Sequence, residues 1–156
     1  MADELEKMFS DFGERKQAEK RARDDKAAKH QEFKEKASRI ISQEVAPVLF
    51  ELSADLNDRG HESKVSLLVE THAYPSAQMT FRICDEQNSF TNVSTLFFQT
   101  TRREDDLEVR QKIWGKGGRE EGISDGGSHS KPLSNVTPEW VRGHAMSFIK
   151  SVLDKH

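Results

Sequence analysis

The sequence predicts an α+β fold: a long N-terminal helix, a four-stranded antiparallel meander, and a C-terminal helix packed on the same sheet face. Three observations predict it. Apolar residues recur at helical spacing over residues 33–56, alternate with polar ones through short segments between 65 and 113, and return to helical spacing after 137. Ahead of these, residues 14–31 lack large apolar side chains, so no core can form there. The organisation reads as a charged helical arm, 1–32, and one α+β domain, 33–156, with a glycine-rich loop at 115–135.

The arm opens on Leu5, Met8, Phe9 and Phe12, one apolar stripe over two helical turns that Gly13 is expected to interrupt. Anchors at i, i+3, i+4 and i+7 suit a helix that docks in a partner's groove, and these four are the candidate partner-binding residues. The same stripe packed on a second copy would give a homodimer through the N-terminal helices. Residues 14–31 are mostly good helix formers, and Glu19 with Arg23, Asp25 with Lys29 and Glu32 with Lys36 stand at the favourable i,i+4 spacing. A solvated, partly frayed helix is expected.

From Phe33 the pattern Ala37, Ile40, Ile41, Val45, Val48, Leu49, Leu52 and Leu56 gives the strongest helix in the chain. Pro47 falls inside it and predicts a kink or a fresh start, since proline removes a donor and disfavours a helical residue before it. Gly60 is placed as the left-handed residue that stops the helix.

Beyond Gly60 the period becomes two. Val65, Leu67, Val69 and Thr71 form a first strand, Tyr74-Pro75-Ser76 a turn, and Met79, Phe81 and Ile83 a second strand, closed by the polar run 85–89. In the third, 93–101, Leu96, Phe97 and Phe98 are consecutive, which predicts a central strand covered on both faces. Leu107, Val109, Gln111 and Ile113 alternate with Glu108, Arg110 and Lys112 in a fourth strand whose charged face meets water. Thr137-Pro138-Glu139 then opens a helix with an N-cap, a proline at the first position and an acid in the first turn, while Val136 can staple to Val141. Its apolar face is Trp140, Val141, His144, Ala145, Phe148, Ile149, Val152 and Leu153.

The net charge is −3 over 156 residues, of which 34% are apolar and 33% charged, and it is unevenly spread. Residues 14–36 hold nine Lys and Arg against six Asp and Glu, so a mildly basic arm precedes an acidic body. The cations Arg15, Lys16, Lys20, Arg21, Arg23, Lys26 and Lys29 are the candidate nucleic-acid contacts, since neutralising phosphates releases counterions. Acids are interleaved with them, and no aromatic residue lies between Phe12 and Phe33 to stack on bases.

Cys84 is the only cysteine, which excludes an intrachain disulfide and a multi-cysteine zinc site and suits a reducing compartment. No apolar stretch reaches the roughly 18–20 residues that span a bilayer, and charge begins at Asp3, so a cytoplasmic protein without membrane contact is expected. The six histidines, His30, His61, His72, His129, His144 and His156, are scattered, and neither a metal nor a cofactor is expected. Gly115-Lys116-Gly117-Gly118-Arg119 has the composition of a phosphate loop but not its spacing, because no helix follows directly.

No nucleophile motif and no family motif is recognised. The element order is similar to that of double-stranded RNA-binding domains and secretion chaperones, with one strand more than the former, and carries over no residue. A non-catalytic module that binds a protein through its arm or loop is the first expectation. A nucleic-acid-associated protein using the basic arm is the second, and a small enzyme with a site between sheet and loop is the third.

Overall fold

The computed structural model describes residues 2–69, 74–84, 92–115 and 129–156, together with the backbone of 120–123. The chain divides into two units, 1–33 and 34–156.

Helix α1 spans Ala2–Ile40, 39 residues that include all of the first unit described. Gly13 does not interrupt it. Glycine costs about 1 kcal/mol against alanine inside a helix, too little to break a run of helix formers on both sides. Glu19 pairs back to Lys16 at 3.5 Å instead of forward to Arg23. Lys36, expected opposite Glu32, donates to Ser134 Oγ at 2.7 Å.

In the second unit α1 passes through one wide π turn, Ile41–Val45, into α2, Ala46–Asp58. The Ala46 N–H donates to the Ile41 carbonyl five residues back, and Pro47 occupies the first turn of α2. The fresh start predicted at Pro47 therefore takes this form: the wider turn makes room for a ring that would otherwise strike the carbonyl four residues earlier. At the other end Gly60 has φ +90, and its N–H donates to Asn57 O at 3.0 Å while that of His61 donates to Leu56 O at 3.1 Å. Both orphan carbonyls are thereby satisfied. Asn57 adds a clamp, its Oδ1 accepting from Ser63 N at 2.8 Å and its Nδ2 donating to Ser63 O at 3.0 Å.

Strands β1 (Glu62–Leu68), β2 (Ser76–Arg82), β3 (Ser94–Thr100) and β4 (Asp106–Trp114) form the antiparallel meander. Two further strands correct the four-strand expectation. β5 (Glu120–Ile123) pairs with β4 on its far side and the two-residue β6 (Lys131–Pro132) pairs with the start of β4, both inside the stretch read as loop. An open row of β4 main-chain groups gains partners from them, a demand of the sheet that glycine-rich composition does not reveal.

Burial alternates along the sheet. Ala77, Met79, Phe81, Leu96, Phe98, Leu107, Val109 and Ile113 are buried on one face, with Ser63, Ser94 and Thr100 among them. Against this face pack Val45 of the π turn, Leu49, Leu52 and Leu56 of α2, and Val141, Ala145, Phe148 and Val152 of α3 (Pro138–Asp154). Thr137 Oγ1 accepts from Trp140 N at 3.2 Å as the N-cap. Leu153, assigned to the apolar face of α3, is instead 50% exposed.

β3 is covered on one face only, contrary to the two-sided reading: Leu96 and Phe98 are buried, Phe97 is half-buried on the other side. Both helices occupy one face, so nothing described supplies a second layer.

Candidate functional site

Among the described residues, three groups of side chains outside the core bear on function. The first is the arm. Leu5, Met8, Phe9 and Phe12 are 57%, 64%, 72% and 49% exposed, an apolar stripe left in solvent. Because α1 is continuous through Gly13, residues before and after it share one angular frame of about 100° per residue. In that frame Arg15, Lys16, Lys20, Arg23 and Lys26 fall within about 70° of the stripe's direction. Lys29 stands at the margin, and Arg21 is on the far side with Glu14 and Asp25. Glu19 is an acid on the shared face, tied to Lys16.

Phe12 joins the two sets physically. The Arg15 guanidinium carbon and Lys16 Nζ each lie 5.5 Å from its ring centroid, within cation–π range. Sequence reading placed the anchors and the cations in separate, rival sites; the helix makes them one surface, apolar at the N-terminal end and cationic beyond.

The second is an aromatic cluster at the start of α3. Trp140 meets Phe98 edge-on at 6.0 Å and His144 at 4.8 Å, while His129 meets His144 at 5.4 Å and Lys131 Nζ lies 5.7 Å from the Trp140 ring. Burial pushes the His144 pKa below its ordinary 6.5, and the neighbouring His129 and Lys131 push it the same way. This cluster fastens the chain returning through residues 129–131 onto α3.

The third is the sheet face opposite the helices. Here Phe97 stands between Gln78 on β2 and Arg110 on β4, and the next row holds Thr80, Thr95 and Lys112. Phe97, Gln99, Arg110, Gln111 and Lys112 line an open depression of about 250 Å³. Further along β4, Lys112 Nζ lies 5.3 Å from the Trp114 ring. A bulge at Ile113/Trp114, held by Trp114 N–H donating to Ser94 Oγ at 3.0 Å, sets this end of the strand. The sequence pattern assigns Phe97 to a strand covered on both faces and assigns Trp114 no role; the signal needed for a site is the register that puts an aromatic residue beside two cations.

Cys84 is half-buried, and its N–H donates to His61 Nδ1 at 3.1 Å. Among the described residues no group of three His, Cys, Asp or Glu is placed to hold a metal ion, and no helix is long and apolar enough to cross a membrane. The phosphate-loop reading of 115–119, the enzyme site between sheet and loop, His72, Thr71 and the polar run 85–89 fall wholly or largely outside the described residues. Comparison with protein-family models, with curated proteins and with solved structures returns no match.

Proposed function

We propose that this protein is a non-catalytic binding module whose N-terminal helix docks in an apolar groove with an acidic rim on a protein partner. The observation that carries this is the single face of α1: four exposed anchors followed by five cations in the same direction. Exposed apolar anchors at this spacing are stabilised by entering a groove, and flanking cations favour a partner with acids around it and speed the encounter. The cytoplasmic setting read from the lone Cys84 belongs to the same proposal.

Photo-crosslinking tests it. A benzophenone amino acid at Phe9, on the face, is compared in cells with one at Arg21, on the opposite side. A discrete adduct from position 9, absent at 21 and lost when Leu5→Asp and Phe12→Asp are added, is the expected result. An adduct of twice the chain mass identifies a second copy as the partner. Equal yield at both positions, or none at either, refutes docking through this face. Loss of duplex-DNA binding on neutralising the five cations, without any protein adduct, transfers the arm to phosphate contact instead.

A further inference from the structure

We infer that the open sheet face is a platform for single-stranded nucleic acid, with a base stacked on Phe97 and phosphates at Arg110 and Lys112. The inference is independent of the arm.

A half-buried phenylalanine on the uncovered side of a central strand costs hydration unless something planar or apolar covers it. Its surroundings select the ligand. Gln78 and Gln99 offer amide donors and acceptors at the rim, able to meet the edge of a base. Arg110 stands directly across from Phe97 in register, and such neighbours are about 5 Å apart at Cβ. Among the described residues the Arg110 side chain has neither an ion pair nor a hydrogen bond. Lys112, one row further, carries the positive charge toward Trp114, a second ring on the same face about 14 Å from the Phe97 row by strand rise. Glu108 stands across from Gln99, in the row on the other side of Arg110, with Asp106 beyond it, so the cations of β4 run from Arg110 to Lys112, toward the end where Trp114 is in register with Glu120 of β5.

Ring, cation and amide together fit an alternation of base and phosphate. The depression, at about 250 Å³, falls below the roughly 300–1,000 Å³ of sites that enclose a small molecule. It seats one unit of an extended ligand. A duplex does not fit, since its base faces are already stacked on one another and unavailable to Phe97, whereas any unpaired base offers a face.

The test is fluorescence anisotropy of the full chain with labelled oligouridylate and oligothymidylate, a duplex of equal length, and unlabelled uridine monophosphate as competitor. Phe97→Leu and Arg110→Gln are the variants; both positions lie outside the core, and circular dichroism verifies that they fold. The expected result is preference for single strands over duplex and a loss of about five- to 150-fold on Phe97→Leu. Arg110→Gln lowers the slope of log affinity against log salt by about 0.7, one phosphate contact. Competition by the mononucleotide alone, at the affinity of the oligomer, reassigns the face to a nucleotide and overturns the strand proposal. Absence of binding at low salt, equal binding of duplex, or binding indifferent to Phe97→Leu and lost only when the arm's cations are neutralised overturns it as well.

Discussion

Gly60→Ala isolates the cost of the turn that ends α2. With φ at +90, Gly60 occupies backbone space that an L-residue enters at a cost of about 1–2 kcal/mol. A Cβ built there meets nothing within 4 Å, so no steric term is added. Against the strain stands the gain from restricting the unfolded chain, about 0.4–1 kcal/mol for replacing glycine. The net is a destabilisation of about 1 kcal/mol, which lowers the melting temperature by about 3 °C for a domain of this size. Gly60→Asn, which tolerates the left-handed region through its short polar side chain, should lose less than alanine. Gly60→Val should lose more, because a β-branched residue is most strained there. Urea melts followed by circular dichroism give the three values at constant m. A set in which alanine matches glycine, or valine matches asparagine, refutes the backbone origin of the effect.

Asn57→Ala removes both hydrogen bonds to Ser63 and strips the open edge of β1 of its clamp, a loss of about 2 kcal/mol at about 1 kcal/mol each; a change under 0.5 kcal/mol in the same melts contradicts it. His144 gives acid sensitivity of known sign. Its folded pKa lies below the ordinary 6.5, so above that pH both states are neutral and stability does not depend on it. As pH falls below 6.5 the unfolded chain takes up the proton first and stability declines, levelling off below the folded pKa. His144→Gln should flatten this part of a stability profile measured between pH 7 and 5, and an unchanged slope contradicts the assignment.

Where local chemistry decides, the fold was legible. Thr137-Pro138-Glu139, Pro47 and Gly60 each fix a helix end through their own backbone requirements, and β1 to β4 follow from alternation that one buried face demands. What escaped depends on partners distant in sequence. β5 and β6 exist because β4 presents an open edge, not because Glu120–Ile123 or Lys131–Pro132 favour strand. The run Leu96-Phe97-Phe98 misled for a related reason: three apolar residues say that two faces are apolar but not that a second layer exists. The site was legible in its parts only. The stripe and the cations were both found, yet whether they form one face turns on whether Gly13 breaks the helix, and a cost near 1 kcal/mol leaves that to the surrounding residues. The sheet face was missed because Phe97 meets Arg110 only through register across the 101–105 turn, where Glu104 adopts φ 60.

The continuity of α1 through Gly13 is therefore the point to measure, by pulsed dipolar spectroscopy on the full chain with Cys84→Ser and spin labels at Glu6→Cys and Asp24→Cys. A continuous helix rises about 1.5 Å per residue, giving one narrow distance near 27 Å between the two backbones, unchanged in Gly13→Ala. A broad or bimodal distribution in the native arm that sharpens only with Gly13→Ala would show that the helix breaks there, separating the anchors from the cations and removing the docking face.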